Sequence, residues 1–298
     1  MPDFTAIIPL HNKAQTIERS LRSITAQTLA PTEIVIVDDV STDGSPDIAQ
    51  SLGLPNLKLV HRDTPGPGGY PARNLGVETA QTEWVGFLDA DDEWLPDHLE
   101  AAAEIIAKNP EVNTIFSGRR IQRDGKGTRE IVVPEARVYS FGELLDIFAD
   151  RNVFHVNSLI IRRETFLKTG GFRTDRGWKR GGDSELFLRL TRDGAPVYMT
   201  PRITTLYDMN FSDVVTNTKN YQGEHPTHRT LREMMVENPE EALRLKRVAN
   251  AKVVEWIRQM PNSILRQKLG MLSQSYPLLM PLGGWARILR SFAGHRPK

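Results

Sequence analysis

The sequence contains no cysteine, and this absence excludes several kinds of site. Without thiols the chain can form neither a disulfide framework nor a thiolate metal site, and it has no cysteine nucleophile. No run approaches about 18 consecutive apolar residues, so we expect no transmembrane helix. The first four residues, Met-Pro-Asp-Phe, do not open a basic and then apolar leader. These absences together predict a cytoplasmic protein.

Internal repeats and low-complexity segments are also missing, and the composition is that of a globular protein. Hydrophobic residues make up 39% and charged residues 25% of the 298 positions, which is an ordinary mixture for a folded chain. At roughly 100–200 residues per domain, this length predicts one large domain or two small ones.

The net charge of +1 conceals an uneven distribution of charge along the chain. From residue 241 onward there are 11 basic and two acidic residues, whereas the preceding 240 residues contain 27 basic and 35 acidic ones. A basic tail on an acidic body favours an anionic surface or partner for the tail, with a solvated helical face as the alternative. The tail carries no recognisable nucleic-acid-binding motif, so we expect no nucleic-acid partner.

Strand and helix patterns alternate through the first 110 residues. The predicted strands are 4–10, 34–37, 57–61 and 84–88, and the predicted helices are 16–26, 45–52, 74–80 and 96–108. Apolar strands separated by helices are typical of a parallel sheet that is covered on both faces. Ligands bind such sheets at the carboxyl ends of the strands.

Beyond residue 110 the pattern changes. A hairpin is predicted over residues 114–133, followed by a strand at 156–161 and a helix at 183–192. The tail from Pro239 is predicted to be mostly helical, with breaks at Pro261, Pro277, Pro281 and Gly283-Gly284. Its last helix is apolar on one side and carries arginines, which suits the surface of an anionic membrane. Packing on the rest of the chain or a dimer contact is the alternative for that helix.

Acidic residues follow two of the predicted strands. Asp89, Asp91 and Asp92 come directly after the fourth strand, where grouped carboxylates repel one another and lose hydration. A hard divalent cation would make this group tolerable, because Mg²⁺ commonly combines one or two carboxylates with substrate phosphates; a helix N-cap is the alternative. Asp38 and Asp39 end the second strand, where a carboxylate either accepts hydrogen bonds from a base or ribose or closes the turn.

A glycine-rich loop at residues 66–74 precedes the third predicted helix. A dinucleotide-binding fingerprint would need glycine or alanine where Pro71 stands, and it would follow the first strand, so the loop does not indicate an oxidoreductase. Arg73, at the junction of loop and helix, is well placed for a phosphate. A structural salt bridge is the alternative for Arg73.

At this point the sequence resembles the family 2 glycosyltransferases with a GT-A fold. Five stretches carry the resemblance, in the family's order and at similar spacing: 7–13 (IIPLHNK), 34–45 (IVIVDDVSTDGS), 72–76 (ARNLG), 87–94 (FLDADDEW) and 170–190 (GGFRTDRGWKRGGDSELFLRL). The resemblance covers roughly residues 3–215. It implies an α/β, Rossmann-like GT-A fold whose mixed, mostly parallel sheet is flanked by helices, with a helical C-terminal extension.

The resemblance also implies roles for individual residues. The residues that would bind the nucleotide sugar are Pro9, His11, Asn12, Asp39, Arg73 and Asp89. Asp91, together with Asp89, would form the D-x-D pair that holds a divalent metal, Mn²⁺ or Mg²⁺. Asp183 matches the catalytic base. Trp178 and Gly182 lie in the segment that often lines the acceptor or sugar site.

The sequence departs from the family pattern at three places. Gly182 stands where a glutamate usually precedes the base. The Q-x-x-R-W motif of processive synthases is absent, which argues against a processive membrane enzyme. The histidine that often completes the metal site is not evident: Asn210 occupies its expected region, 207–215, and His225 and His228 are the nearby substitutes.

The resemblance therefore predicts an inverting glycosyltransferase that moves a sugar from a nucleotide-diphospho-sugar, most often a UDP-sugar in the family, to a hydroxyl of a saccharide or lipid-linked acceptor. The expected organisation is a catalytic domain over residues 1–220, with its nucleotide half at 1–110 and its acceptor half at 111–220, and a basic helical region over 221–298. Contact with the inner face of a membrane through the tail and a homodimer are further expectations. The alternative is a catalytically idle nucleotide-sugar-binding module; a nucleotidyltransferase is disfavoured because residues 9–13 do not form a glycine-rich basic loop.

Overall fold

The computed structural model describes residues 1–175, 177–192, 196–211, 225–260 and 265–292. The strands are β1 (Phe4–Leu10), β2 (Glu33–Asp38), β3 (Leu57–His61), β4 (Trp84–Phe87), β5 (Glu93–Trp94), β6 (Thr114–Arg123), β7 (Gly127–Ile131), β8 (Arg137–Tyr139), β9 (Leu159–Arg162) and β10 (Val197–Asp208). The helices are α1 (Ile17–Thr25), α2 (Ser45–Ser51), α3 (Tyr70–Thr79), α4 (His98–Lys108), α5 (Phe141–Asp150), α6 (Arg163–Lys168), α7 (Gly182–Arg192), α8 (Thr227–Glu237), α9 (Ala242–Gln259), α10 (Leu265–Leu272) and α11 (Leu282–Phe292).

These strands form one sheet in the order β3-β2-β1-β4-β9-β6-β10-β5, with β7 paired to β6 and β8 to β10. Strands β1 to β4 are parallel to one another. Strand β9 runs antiparallel to both of its neighbours, β4 and β6, so β6 and β10 have the same direction as β1. The predicted α/β architecture with a mixed, mostly parallel sheet is confirmed, as is the hairpin of β6 and β7.

Both faces of the sheet are buried, which explains the continuous apolar runs of its central strands. Along β1, Ile7 packs into one core while Ala6 and Ile8 pack into the other. Along β2, Ile34 and Ile36 belong to that second core. Because successive side chains of a strand point to opposite faces, a sheet covered by helices on both sides requires apolar residues at every position.

Several element boundaries differ from the sequence prediction. Helix α3 begins at Tyr70, four residues before its predicted start, because Gly69 takes a left-handed conformation (φ 70°) and Pro71 occupies the first turn. Helix α5 was not predicted at all, although a capping box between Ser140 and Glu143 opens it. The predicted break at Gly283-Gly284 is wrong, since α11 runs through both glycines.

The C-terminal helices pack against the sheet domain and against one another. Leu231 and Met234 of α8 and Leu245 of α9 share a core with α5 and α7. The second half of α9 forms a separate apolar cluster with α10 and α11. The predicted helical character of the tail is confirmed, while the predicted boundary near residue 220 and the break at Pro261 lie outside the described residues. Within the described ranges, no helix is both long and apolar enough to cross a membrane.

Candidate active site

A cleft of about 1720 Å³ opens at the carboxyl ends of β1, β2 and β4 and extends past β6 to helices α9 and α11. Of the residues assigned to the site from the sequence, the cleft is lined by Pro9, His11, Asp39, Arg73, Asp89, Asp91 and Asp183. The structure thus brings the acidic strand ends and the candidate base to one cavity. Asn12, Trp178 and Gly182 are not among its lining residues.

Asp38 and Asp39, adjacent at the end of β2, have different environments. The Asp39 carboxylate lies in the cleft, pairs with Arg62 and accepts hydrogen bonds from the backbone N–H of Gly66 at 3.0 and 3.1 Å. Asp38 closes the turn instead: its carboxylate accepts from the N–H of Ser41 and lies 3.1 Å from the His61 ring. Only Asp39 of the two is available to a ligand in the cleft.

The loop after β1 is fixed against the loop after β2. The Nδ1 atom of His11 lies 2.7 Å from the Asp39 carbonyl oxygen, which holds the imidazole in the cleft wall. Asn12 has a left-handed backbone (φ 51°), and its side-chain oxygen accepts from the N–H of Thr42 at 2.8 Å. Asn12 therefore joins two loops at the edge of the cleft and does not face its interior.

Asp89, Asp91 and Asp92 each place a carboxylate oxygen within 4.8 Å of the others. Burial and the charge of Asp89 raise the pKa of Asp91, while Lys13, whose Nζ lies 2.9 Å from Asp91, lowers it. Burial and the charges of Asp91 and Asp89 likewise raise the pKa of Asp92. Repulsion among partly desolvated carboxylates is what a divalent cation relieves, so this donor set fits a hard metal ion.

Asp92 has a structural role within this group. Its carboxylate accepts a hydrogen bond from the backbone N–H of Asp208 at 2.7 Å and another from the side-chain amide of Asn157. These bonds tie the loop after β4 to the end of β10. Asp92 is fully buried, which leaves Asp89 and Asp91 as the members of the group that face the cleft.

Arg73 forms the salt bridge that was the alternative interpretation, and its role in binding a phosphate stays a prediction. Its guanidinium is buried, pairs with Asp89 and donates to the carbonyl oxygen of Gly68 at 3.2 Å. The rings of Tyr70 and Phe172 lie 5.8 and 5.7 Å from its central carbon. The salt bridge is present, and the residue also lines the cleft beside the loop and the first turn of α3.

Asp183 lies in the first turn of α7, with its Oδ1 atom buried and without a hydrogen-bond partner among the described residues. Burial raises its pKa to about 6, the charge of Asp89 acts in the same direction, and that of Arg73 lowers it. Asp183 is not the N-cap residue of α7, because the helix already begins at Gly182. A carboxyl group with a pKa near neutrality and an unused oxygen is suited to accept a proton.

Gly182 is required by packing. Its backbone N–H donates to the Tyr70 hydroxyl at 3.0 Å, and a Cβ added at this position would lie 2.6 Å from the Tyr70 ring. Any larger residue, glutamate included, would displace Tyr70 and the start of α7 with it. Trp178, four residues earlier, is half-buried outside the cleft lining.

Among the described residues, no histidine completes the metal site beside Asp89 and Asp91. His225 lines the cleft, but its ring is buried against Trp256 and its Nδ1 accepts from the N–H of Thr227 at 3.1 Å. No histidine belongs to the clusters that could hold a metal within the described residues. Asn210 pairs with Asp124 in the turn of the hairpin. Residues 212–215 of the segment expected to carry the missing histidine lie outside the described part of the chain.

The cleft also contains side chains that the sequence did not predict, among them Lys13, His155 and Arg119. Lys13 ends one of the stretches that carried the family resemblance, so its position beside Asp91 could have been noticed. His155 packs its ring 4.7 Å from that of Tyr207, and burial lowers its pKa to about 3. His155 and Arg119 lie in segments without any motif, and only the fold brings them to the site.

Comparison of the sequence with known proteins identifies a family. The model described as "Glycosyl transferase family 2" matches residues 5–169. The succinoglycan biosynthesis protein ExoO of Rhizobium meliloti (strain 1021) is 30% identical over 217 residues, which cover 70% of this chain and 61% of that protein. The putative teichuronic acid biosynthesis glycosyltransferase TuaG of Bacillus subtilis (strain 168) is 31% identical over 141 residues, covering 46% and 56%. The matches thus span less than two thirds of either relative.

Solved structures agree on the fold. The crystal structure of S. aureus TarS 1-349 in complex with UDP-GlcNAc superposes with a TM-score of 0.71 at 18% identity, covering 97% of this chain and 89% of that one. The mannosyltransferase PcManGT from Pyrobaculum calidifontis, in complex with GDP-Man and Mn²⁺, gives 0.61 at 22% identity, covering 98% and 82%. At these identities the likeness shows the fold alone. Because the family model matches residues 5–169, the chain belongs to glycosyltransferase family 2, and the solved structures show that it has the GT-A fold.

Proposed function

We propose that the protein catalyses transfer of a sugar from a nucleotide-diphospho-sugar to an acceptor hydroxyl, with inversion at the anomeric carbon. The observation that carries the proposal is the position of Asp183, a half-buried residue that shares one cleft with the acidic pair Asp89 and Asp91. Its buried Oδ1 atom has no hydrogen-bond partner among the described residues. One base and one leaving-group site in a single cavity are the requirements of a direct displacement.

In this proposal the nucleotide binds at the ends of β1 and β2. The Asp39 carboxylate accepts from the base or the ribose, while Pro9, His11 and Asn12 form the surrounding loop. Arg73, buried beside Asp89 at the start of α3, attracts the diphosphate, as does the N-terminus of that helix. The neighbouring Lys13 adds a second positive charge at Asp91.

Asp91 and Asp89 would hold a divalent metal, Mn²⁺ or Mg²⁺. Such an ion supplies charge neutralisation for the departing diphosphate. The chain's own contribution is the grouping of carboxylates, whose mutual repulsion favours a cation. Lys13 lies 2.9 Å from Asp91 and would move aside or turn towards the phosphates when that cation binds.

Asp183 accepts the proton of the acceptor hydroxyl as the oxygen attacks the anomeric carbon. The new carbon–oxygen bond forms while the bond to the diphosphate breaks, and the proton ends on the Asp183 carboxylate. Because the base lies opposite the leaving group in this arrangement, the product has the inverted configuration. Gly182 contributes to this side of the site through its contact with the Tyr70 ring. Trp178 lies outside the cleft lining, and its contact with the acceptor stays a prediction.

We further propose a UDP-sugar donor and a role in cell-surface polysaccharide synthesis. Support comes from the relatives named for succinoglycan and teichuronic acid biosynthesis and from the TarS complex with UDP-GlcNAc. A cytoplasmic enzyme that touches the inner face of a membrane is consistent with α11, where Leu282 and Leu289 are 88% and 65% exposed beside Arg287 and Arg290. Exposed leucines flanked by arginines suit an anionic lipid surface.

A panel of nucleotide sugars tests the proposal. Thermal unfolding is measured with UDP-, GDP- and dTDP-sugars, each with and without Mn²⁺, and nucleotide release is then followed for the sugar that binds. The expected result is stabilisation by one nucleotide class, strengthened by Mn²⁺, together with slow hydrolysis of that donor. Binding without any turnover would favour the idle binding module, and a chain indifferent to every nucleotide sugar would overturn the proposal.

A further inference from the structure

The cleft continues beyond Asp183 into a part that we call the basic arm, lined by residues of β6, β7, α9 and α11 and by the segments around α5 and before α7. Nine basic side chains line this arm, among them Arg119, Arg129, Arg258 and Arg287. Its acidic lining residues are Glu130, Asp150 and Glu255. The basic side chains come from separate elements of the chain, so the fold is what assembles them on one cavity.

Arg119 in this arm is a buried cation without a carboxylate partner. It is 6% exposed, and its two terminal nitrogens donate only to the carbonyl oxygens of Asn152 and Val153, at 2.7 and 2.9 Å. Its Nε atom has no partner among the described residues. The other two buried arginines of the described chain each pair with a carboxylate, Arg73 with Asp89 and Arg189 with Glu185.

The electrostatics of Arg119 show the same imbalance. Burial is the main cause that lowers the pKa of Arg119 to about 10; the charge of Arg129 acts in the same direction, and Tyr207, Glu255 and Asp92 oppose it. Burying a charge without a counter-ion is costly in free energy. An anion in the cleft would supply the missing counter-charge, whereas a neutral ligand would leave the imbalance in place.

Three exposed arginines of the cleft could contact such an anion directly. Arg129, Arg258 and Arg287 line the cleft and form no ion pair with the described residues. By contrast, Arg151, Arg247 and Lys252 are already paired, with Asp150, Asp146 and Glu255. The unpaired set therefore exceeds what the local carboxylates balance.

We propose that the basic arm binds an anionic group, a phosphate, carried by the acceptor, with Arg119 as its buried charge and Arg129 as a direct contact. The inference rests on the proposed function, in which the nucleotide occupies the acidic end and leaves this arm to the acceptor. Arg119 acts electrostatically on His155, which also feels Asp89 and Arg73. The arm and Asp183 line one cleft, so an acceptor held there by its phosphate would have its hydroxyl in the cavity that Asp183 lines.

Calorimetric titration of the protein saturated with UDP and Mn²⁺ tests this, using glycerol 3-phosphate, glycerol and inorganic phosphate as probes. Glycerol 3-phosphate is expected to bind, glycerol is not, and inorganic phosphate is expected to compete with the former. Arg119→Met and, separately, Arg129→Met should each weaken glycerol 3-phosphate binding by about tenfold or more, as expected for loss of a charge-assisted interaction. Arg129 is exposed, so its variant keeps the test valid if Arg119→Met fails to fold.

Arg123→Met is the matched control, because Arg123 lies on the same strand, is exposed and is not a lining residue of the cleft. It should bind the probes like the parent protein. The inference would be overturned if glycerol and glycerol 3-phosphate bound equally well. It would also be overturned if both arginine variants kept the parent's affinity for glycerol 3-phosphate; in either case normal UDP binding would leave the proposed function standing. Failure of the parent protein to bind UDP would instead contradict the proposed function.

Discussion

The two ends of the cleft balance charge in different ways. At the acidic end, Asp39 pairs with Arg62, Asp89 with Arg73 and Asp91 with Lys13. In the basic arm, Arg119 is buried with only carbonyl oxygens as partners, and Arg129 has no ion-pair partner in the described chain. Asp39, Asp89 and Asp91 at the acidic end thus each have a basic partner, whereas Arg119 and Arg129 in the basic arm have no acidic one among the described residues.

Because of this difference, each end of the cleft would bind its ligand in a different way. A nucleotide at the acidic end must displace or join existing ion pairs, so a cation is needed to accompany its diphosphate. A ligand in the basic arm meets unpaired cations, and its own negative charge is enough. The acidic end is also built from adjacent strand ends, while the basic arm is assembled from distant parts of the chain. Variants at each end should therefore fail in different ways.

The largest effect is expected at the junction of the two ends. Asp183→Asn removes the proton acceptor with little change in shape, so transfer should fall by about 10²–10⁴-fold, while UDP affinity stays within twofold of the parent. Initial rates and UDP titration on the same preparation measure both. Asp47→Asn, which changes an exposed aspartate in the first turn of α2, should leave both unaltered. Parent-like transfer by Asp183→Asn would remove the base from the account.

At the acidic end, Asp91→Asn should make the affinity for the nucleotide independent of the metal. The variant should lose the gain in UDP affinity that Mn²⁺ gives the parent, and transfer should fall by at least the roughly 10–100-fold seen when even outer partners of a metal are removed. Titrations with Mn²⁺ and with excess EDTA measure the coupling. Full activity of the parent in EDTA would contradict a metal role for this end.

The acidity of Asp183 predicts a pH profile. Since burial raises its pKa to about 6, the reactive carboxylate is present above that pH, and kcat/KM should fall by about tenfold per unit below it. Rates at constant ionic strength from pH 4.5 to 8 measure this acidic limb of the pH profile, that is, the fall in kcat/KM at low pH. The limb should disappear in Asp183→Asn. An activity that is flat down to pH 4.5 would show that Asp183 is not the group that accepts the proton.

Gly182 tests whether the start of α7 is held by packing. Its Cβ would meet the Tyr70 ring, so Gly182→Ala should destabilise the protein by about 1–3 kcal/mol and lower transfer by misplacing Asp183. Gly270→Ala, at an open position of α10, should be neutral or slightly stabilising. Thermal unfolding and initial rates measure the pair. Equal stability of the two variants would contradict the packing argument.

The smallest effect is expected at the surface. Replacing Leu282 and Leu289 by serine should weaken sedimentation with anionic liposomes by several-fold while leaving soluble UDP binding unchanged, because both side chains are largely exposed. Replacing the exposed Val236 of α8 by serine is the control. Liposome binding that is the same in all three proteins would remove the membrane contact from the account.

Much of the acidic end could be predicted from the sequence, because strand ends in a parallel sheet converge. Asp39, Asp89 and Asp91 followed apolar runs, and the sheet brought them to one cleft as expected. The pattern could not distinguish Asp38 from Asp39, nor show that Asp92 anchors the backbone of Asp208. Those outcomes depend on which way a single side chain turns at the end of a strand.

The basic arm could not be predicted. Arg119 is one of many arginines, and neither its burial nor its lack of a carboxylate has a signature in the local sequence. Helix α5 was also missed, although its capping box was readable, because no motif drew attention to that segment. The need for glycine at position 182, where glutamate is usual, becomes clear only from the contact with Tyr70, which is 112 residues away in the chain.

The central claim is that the metal-holding pair and the base face one donor molecule. A crystal structure of the protein with a non-hydrolysable UDP-sugar and Mn²⁺ tests it most directly. We expect the ion on Asp91, the uracil near Asp39, and the Asp183 carboxylate on the face of the sugar opposite the diphosphate. A donor bound with its sugar turned away from Asp183, or an ion held by other residues, would contradict it.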